Sequence, residues 1–146
     1  MSVYNKLAED FFNASYQLSK TKCTETLDES LKGEIFALLF LSSKEKDISP
    51  SLLGADMYIS TARITAILNN LENKKFIVRE IDKKDRRKIK IKLTKTGKEE
   101  ASRHKNKVIK QIIDMLMLLG EQDAKELIRI TTKIVSVQLK KDQKSD

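Results

Sequence analysis

The sequence predicts a mainly α-helical domain with one small β-hairpin, and three observations support this prediction. The 146 residues include only one proline and four glycines, which leaves little material for long loops. Apolar residues recur every three or four positions over most of the chain, which is the helical period. After Lys74, apolar and polar residues alternate over two short stretches, as they do in strands. The chain length fits a single domain with its own core.

The helical period predicts six helices with short connections. The first covers residues 3–18, and the second, residues 34–41, is apolar on almost all sides, as expected for a buried helix. Ser49 and Pro50 begin a third helix that runs to about residue 57, because serine caps free N–H groups and proline fits the first helical position. The other helices are predicted at residues 60–73, 94–119 and 122–139, and Gly120 separates the last two.

The third and fourth predicted helices, joined by a two-residue break, form a helix-turn-helix pattern. Apolar residues at helical spacing from Ile64 to Leu71 bury one face of the fourth helix. The opposite face carries short polar or neutral side chains around one arginine, which suits a helix in the major groove of DNA. The residues of this helix predicted to bind DNA are Ser60, Thr61, Ala62, Arg63, Thr65, Ala66 and Asn69.

Side chains on this face match particular chemical groups of DNA. Arg63 matches guanine O6 and N7, and Asn69 matches adenine or a phosphate. Thr65 is expected to contact a phosphate or a thymine methyl group. The N–H groups after Ser60 and the helix N-cap at Ser49 are expected to meet phosphates, because helix N-termini offer free donors and a favourable dipole. A solvated polar face is the alternative interpretation of this helix taken alone.

Two predicted strands, residues 76–81 and 88–93, enclose a strongly basic loop. Seven lysines and arginines lie from Lys83 to Lys92, where their mutual repulsion is unfavourable without an anionic partner such as DNA. Asp85 would be repelled by phosphate, so we expect it to form an ion pair inside the loop. The loop residues predicted to bind DNA are Lys83, Lys84, Asp85, Arg86, Arg87 and Lys88. The alternative is an exposed hairpin whose lysines prevent aggregation.

The segment LLGADMYISTARITAILNNLENKKFIVREIDKKDRRKIKIKLTKTGKE resembles the winged helix-turn-helix of the MarR family of bacterial transcription regulators. Its most specific part is an acidic residue and two arginines, an alternating strand and a Leu-Thr-x-x-Gly sequence. These residues are Asp85, Arg86, Arg87, Leu93, Thr94 and Gly97. The resemblance covers roughly residues 3–139 and implies a winged helix-turn-helix with N- and C-terminal dimerisation helices. It also implies that Arg87 enters the minor groove and that Asp85 is its structural partner.

Three positions depart from the pattern of that family. Tyr58 stands in the turn where many members have Gly or Asn, and a tyrosine there is strained if the backbone has a positive φ. Lys75 stands where a glycine is common, and Ala66 where many members have Arg. More of the specificity is therefore expected from Arg63, and the sequence does not identify the operator.

The resemblance implies a homodimer that binds a pseudo-palindromic operator with half-sites about 10 bp apart. Within a single domain of residues 1–146, residues 31–99 would form the DNA-binding lobe, and residues 1–30 and 100–141 the dimerisation region. The terminal helices carry more apolar side chains than the small lobe can cover. The predicted dimer contacts are Leu7, Phe11, Ile113, Leu116, Leu127 and Ile134. The core of a monomeric helical domain is the alternative role for these side chains.

The resemblance also implies a repressor that is released by a small phenolic or lipophilic effector, although no residue identifies such a ligand. Cys23 invites comparison with the thiol-sensing branch of the family, and an inert cysteine is the alternative. The single cysteine and the single histidine leave no cluster that would bind zinc, so we predict no metal and no cofactor.

The bulk properties limit the function classes. A net charge of +8 and a pI near 9.5 favour an anionic partner. We expect a cytoplasmic protein with no membrane contact, because neither a signal peptide nor a long apolar run is visible. No nucleophile with a base and no phosphate-binding glycine loop is present, which argues against an enzyme. A winged helix that binds an acidic protein, or DNA without sequence preference, is the alternative function.

Overall fold

The protein is described from a computed structural model that covers residues 2–21, 25, 32–44 and 46–142. Within these residues the chain forms six helices and one two-stranded sheet, so the mainly α fold with a small hairpin is confirmed. The helices are α1 (Val3–Ser19), α2 (Gly33–Ser43), α3 (Pro50–Asp56), α4 (Thr61–Asn73), α5 (Lys95–Leu119) and α6 (Glu121–Asp142), and the strands are β1 (Ile77–Ile81) and β2 (Ile89–Leu93). The chain divides into two units, residues 1–109 and residues 110–146.

The first unit has a core built around the buried side of α4. The apolar stripe predicted for this helix is confirmed, since its four members from Ile64 to Leu71 are each at most 7% exposed. The other core residues come from α2, the segment before α3, α3 itself, the hairpin and α5: Ala37, Leu38, Leu41, Ile48, Leu53, Ile77, Ile91 and Ala101. Burial of each large aliphatic side chain contributes about 1.5–3 kcal/mol. The core therefore fixes α4 against both the hairpin and α2.

The hairpin is antiparallel, with Ile77 opposite Leu93 and Ile81 opposite Ile89. Each strand begins one residue later than the sequence predicted. The other edge of β2 is paired as well, because the N–H of Ile91 donates to the carbonyl of Ile48 at 2.8 Å. The alternating pattern did not predict this single-residue bridge, which ties the hairpin to the segment before α3.

A compact junction joins the end of α4, the start of β1, the end of β2 and the start of α5. The backbone N–H of Thr94 donates to the Phe76 carbonyl at 3.0 Å. The Thr94 hydroxyl donates to the Lys75 carbonyl at 2.7 Å and accepts from the N–H of Gly97 at 3.0 Å. A side chain at Gly97 would put its Cβ 1.9 Å from the Phe76 carbonyl oxygen, so only glycine fits there. These contacts are the physical reason for the Leu-Thr-x-x-Gly sequence.

Two of the residues that depart from the pattern of the MarR family, Tyr58 and Lys75, have strained backbone conformations. Tyr58 has a φ of 52° and Lys75 a φ of 61°, in the left-handed region that favours glycine. Tyr58 follows the last turn of α3, and Lys75 follows α4, where a left-handed residue commonly ends a helix. Gly120, with a φ of 80°, separates α5 from α6 as predicted.

We expect the Gly97→Ala substitution to lower the free energy of unfolding by about 3 kcal/mol or more, because the added methyl group overlaps backbone atoms of Phe76. The matched control is Gly54→Ala in α3, where an added Cβ would lie 3.6 Å from the nearest side-chain atom, an ordinary contact. That control should leave stability unchanged or raise it by up to about 1 kcal/mol. Urea unfolding monitored by circular dichroism measures both, and equal losses would contradict the steric account.

Candidate nucleic-acid interface

The predicted recognition helix begins at a side-chain cap. The Ser60 hydroxyl oxygen accepts from the N–H of Arg63 at 3.3 Å, and α3 begins in the same way, with Ser49 accepting from the N–H of Leu52 at 3.2 Å. The predicted DNA-binding residues of α4 are all exposed: Thr61, Ala62, Arg63, Thr65, Ala66 and Asn69. The structure thus brings these side chains together on one accessible face, and their contact with DNA stays a prediction.

Two residues of this face have part of their hydrogen-bonding capacity already in use. The Thr65 hydroxyl donates to the Thr61 carbonyl at 2.8 Å. A phosphate oxygen can only accept a hydrogen bond, and the Thr65 hydroxyl already donates its proton to Thr61. This geometry therefore favours the predicted contact of Thr65 with a thymine methyl group over the predicted contact with a phosphate. The Asn69 side-chain oxygen accepts a hydrogen bond from Arg79 of β1.

Arg79 is a residue that the sequence analysis missed. Its Nη2 donates to Asn69 and lies 3.1 Å from the Glu72 carboxylate, so one guanidinium joins β1 to two side chains of α4. The signal was present in the strand pattern. Arg79 occupies the same alternating face as buried Ile77, and a cation at such a position requires acceptors nearby.

The predicted wing contains the ion pair that was expected at its tip. Asp85 Oδ1 accepts from the backbone N–H of Arg87 at 3.1 Å and from its Nε at 3.2 Å. The Asp85 side chain is 30% exposed, whereas that of Arg87 is 91% exposed. The carboxylate therefore lies against the loop and the guanidinium projects into solvent, which is the arrangement needed for an arginine that contacts a groove.

Asp82 organises the same loop and was also missed. Its Oδ1 accepts from the backbone N–H groups of Lys84 at 2.6 Å and Asp85 at 3.2 Å, and its Oδ2 lies 2.9 Å from Lys90 Nζ. The hydrogen bond from Lys90, followed by that from the Lys84 backbone, lowers the pKa of Asp82 to about 2. An aspartate that bonds the backbone two residues later is a common turn signal, and this signal was available in the sequence.

The uncompensated charge of the wing is smaller than the sequence suggested. Two of the seven cations belong to β2 and are paired: Lys90 with Asp82, and Lys92 with Glu80 at 2.7 Å and with Asp47 at 3.8 Å. The hydrogen bond from Lys92 lowers the pKa of Glu80, and the reciprocal contact raises that of Lys92. The cations that form no ion pair with any residue the structure describes are Lys83, Lys84, Arg86 and Lys88. The free charge is thus concentrated at the loop tip.

The apolar residues predicted for dimerisation are largely exposed in the single chain. The exposed members are Leu7, Phe11, Ile113, Leu127 and Ile134, and Leu116 is half-buried. Among the described residues of α1 none is buried. Their role in dimerisation stays a prediction, and the core of a monomeric domain stays the alternative.

Three further points concern the rest of the chain. Cys23, the possible redox residue, lies outside the described residues. In the ranges that the structure describes, no three or more His, Cys, Asp or Glu side chains are grouped for metal binding. None of the helices in those ranges combines the length and the apolar character that crossing a membrane requires.

Comparison with known protein families supports a DNA-binding domain. A model described as a winged helix DNA-binding domain matches residues 34–113. The HTH-type transcriptional regulator SarZ of Staphylococcus aureus is 26% identical over 88 residues, which are 60% of this chain and 60% of SarZ. The similarity therefore spans less than two thirds of that relative's length.

Solved structures share the fold at low sequence identity. MepR, a transcription regulator of the Staphylococcus aureus multidrug efflux pump MepA, aligns with a TM-score of 0.67 at 20% identity, covering 88% of this chain and 96% of MepR. Streptococcus pneumoniae FabT in complex with DNA gives a TM-score of 0.67 at 19% identity, covering 94% and 98%. Both are MarR-family regulators, so the resemblance of the fold to that family is confirmed.

We expect the wing turn to lose its Asp82 contacts in acid. Because the pKa of Asp82 falls from its ordinary 3.8 to about 2, the charged form stabilises the folded loop. That stabilisation is fully present above pH 3.8 and is lost as the pH falls towards about 2. NMR spectra of the Lys84 and Asp85 amides should show this titration in wild type and in an Asp10→Asn control. An Asp82→Asn variant that still showed it would contradict the assignment.

Proposed function

The chain belongs to the family of winged helix DNA-binding domains, and from this we propose that it is a transcription regulator that binds double-stranded DNA with sequence preference. One observation carries the proposal. The exposed face of α4 begins at a capped N-terminus and lies on the same core as a loop whose tip carries four unpaired cations. A helix of this kind enters the major groove, and a cationic loop reaches the adjacent minor groove or the phosphates.

The proposed contacts fall into two classes. Arg63 reads guanine in the major groove, and Arg87, held by Asp85, inserts into the minor groove. The remaining exposed cations neutralise phosphates, which gives affinity without sequence information: Lys83, Lys84, Arg86 and Lys88. The N–H groups at the capped starts of α3 and α4, behind Ser49 and Ser60, also contact phosphates.

We propose that the active species is a homodimer formed by the apolar sides of the terminal helices. Phe11 is 74% exposed and Ile134 57% exposed in one chain, and exposed apolar surface of this extent marks an association surface. A dimer presents two α4 helices to two half-sites of a pseudo-palindrome, which raises affinity above that of a single helix. The partners in this proposal are DNA and a second copy of the chain in the cytoplasm, with no catalytic step.

We further propose that the protein is a repressor and that a small phenolic or lipophilic ligand releases it. The first unit contains an open cavity of about 980 Å³ whose lining is mixed: Ile35, Leu38 and Phe76 are apolar, most of the other lining residues are polar or charged, and Arg63 of α4 contributes to its wall. An occupant would thus touch a residue of the recognition helix. It would change DNA affinity only by binding the DNA-competent state and the released state with different strength.

The Arg87→Ala variant should lose about 10-fold or more in affinity for a selected operator, since a charged hydrogen bond contributes about 1.5–3 kcal/mol. Its helical content should be unchanged, because the Arg87 side chain is 91% exposed. The measurement is fluorescence anisotropy with the operator and a scrambled duplex at two salt concentrations. The control is Lys107→Ala, which removes one exposed charge from α5 outside both predicted DNA elements.

If wild type binds operator and scrambled DNA alike with a steep salt dependence, sequence-specific regulation is excluded in favour of non-specific binding. Binding to an acidic protein with no affinity for either duplex would favour the protein-interaction module instead.

The Phe11→Asp variant should shift the protein from dimer to monomer in sedimentation-velocity experiments and weaken operator binding, because it introduces a charge into the apolar contact. Asn13→Asp adds the same charge to α1 at an exposed site outside the apolar positions and should leave the dimer intact. A Phe11→Asp protein that remained dimeric would place the association surface elsewhere.

A further inference from the structure

We propose that Asn69 contacts DNA mainly as a hydrogen-bond donor, because Arg79 occupies its acceptor oxygen, and that this pair selects guanine over adenine at one position of each half-site. The inference rests on the proposed function and makes it more specific. It also replaces the adenine contact that the sequence suggested for Asn69. Arg79 acts here as a positioning residue, since it reaches DNA only through Asn69.

The orientation of the Asn69 amide follows from the chemistry of its partner. Arg79 Nη2 forms a hydrogen bond with the Asn69 side chain, and a guanidinium has donors but no acceptor. The atom that faces Arg79 must therefore be Oδ1, and Nδ2 lies on the opposite branch of the planar amide. Asn69 is exposed, so the two N–H bonds of Nδ2 are available to an external acceptor.

Arg79 is itself held in place, which makes the orientation of Asn69 persistent. Its side chain is 25% exposed and also contacts Glu72 Oε2 at 3.1 Å. The positive charge of Arg79 is therefore balanced by a carboxylate of α4. Its backbone lies in β1 opposite Ile91, a core residue. Its Nε is buried and has no hydrogen-bond partner in the described part of the chain, so the polar contacts of the head group with described residues are those with Asn69 and Glu72 of α4.

The base preference follows from the pattern of donors and acceptors in the major groove. A bidentate contact with adenine needs the amide oxygen to accept from N6 while Nδ2 donates to N7. In this protein the amino group of adenine would have to share Oδ1 with a guanidinium whose positive charge repels its hydrogens. Guanine offers N7 and O6, which are both acceptors, so it satisfies Nδ2 without using Oδ1. Guanine is therefore favoured over adenine at the base that Asn69 faces.

The test is a binding selection from random duplex DNA with the full-length wild type and three variants. Wild type should select guanine at one position of each half-site. This position is identified as the one whose base preference changes when Asn69 is substituted. Asn69→Asp keeps the shape and the contact with Arg79 but replaces the donor by an acceptor. It should lose about 10-fold in affinity for the wild-type site and lose the preference for guanine at that position alone.

Arg79→Met keeps an unbranched, flexible stem but removes the guanidinium group and frees Oδ1, so it should shift the preference at the same position from guanine to adenine. Circular dichroism establishes that the variant is folded. Asn70→Asp is the matched control, because it adds the same charge to a neighbouring exposed residue of α4 and should leave every base preference unchanged.

The outcomes separate this inference from the function on which it rests. A wild-type protein that selects no sequence refutes both. If wild type selects an operator and Asn69→Asp weakens binding to all sequences equally, Asn69 contacts a phosphate. That result overturns only the inference. An Arg79→Met variant that is folded and keeps the preference for guanine overturns the positioning role of Arg79.

Discussion

The contacts around the Phe76 carbonyl are the constraint on which the rest of the DNA-binding lobe depends. This oxygen accepts from the Thr94 N–H at 3.0 Å, and a Cβ at Gly97 would lie 1.9 Å from it. The N–H of Phe76 in turn donates to the Leu71 carbonyl of α4 at 2.9 Å. Helix α4, the hairpin and the start of α5 therefore meet within a few backbone hydrogen bonds. The proposed DNA-binding surface of α4 and the wing needs a fixed separation of the two, and this junction fixes it.

Polar side chains add a second connection between the same elements. Arg79 joins β1 to Asn69 and Glu72, while Ile77 and Ile91 pack beneath the strands. A guanidinium with several donors is suited to this role, because it can bind two acceptors on one helix at once. Since apolar packing and hydrogen bonding connect the wing to α4 independently, we expect the two to move together when the protein binds or releases DNA.

The acidic residues of the loop that we propose to bind DNA have a structural explanation in this protein. Asp82 and Asp85 bond to the backbone and to neighbouring cations of the loop, and Glu80 pairs with Lys92 along the strands. These carboxylates bind to groups inside the hairpin and stabilise its conformation. The cations of the loop that form no ion pair with a described residue are left at its tip.

Local patterns in the sequence determined much of the fold and part of the site. The apolar stripe from Ile64 to Leu71, the cap at Ser60 and the pair of Asp85 and Arg87 each follow from spacing, and each involves residues a few positions apart. Only the tertiary structure decided which groups meet across elements. Arg79 and Asn69 are 10 residues apart, and Thr94 and Lys75 are 19 apart. Such contacts depend on how the chain folds back on itself, and neither helical nor strand periodicity specifies that, because both describe only near neighbours.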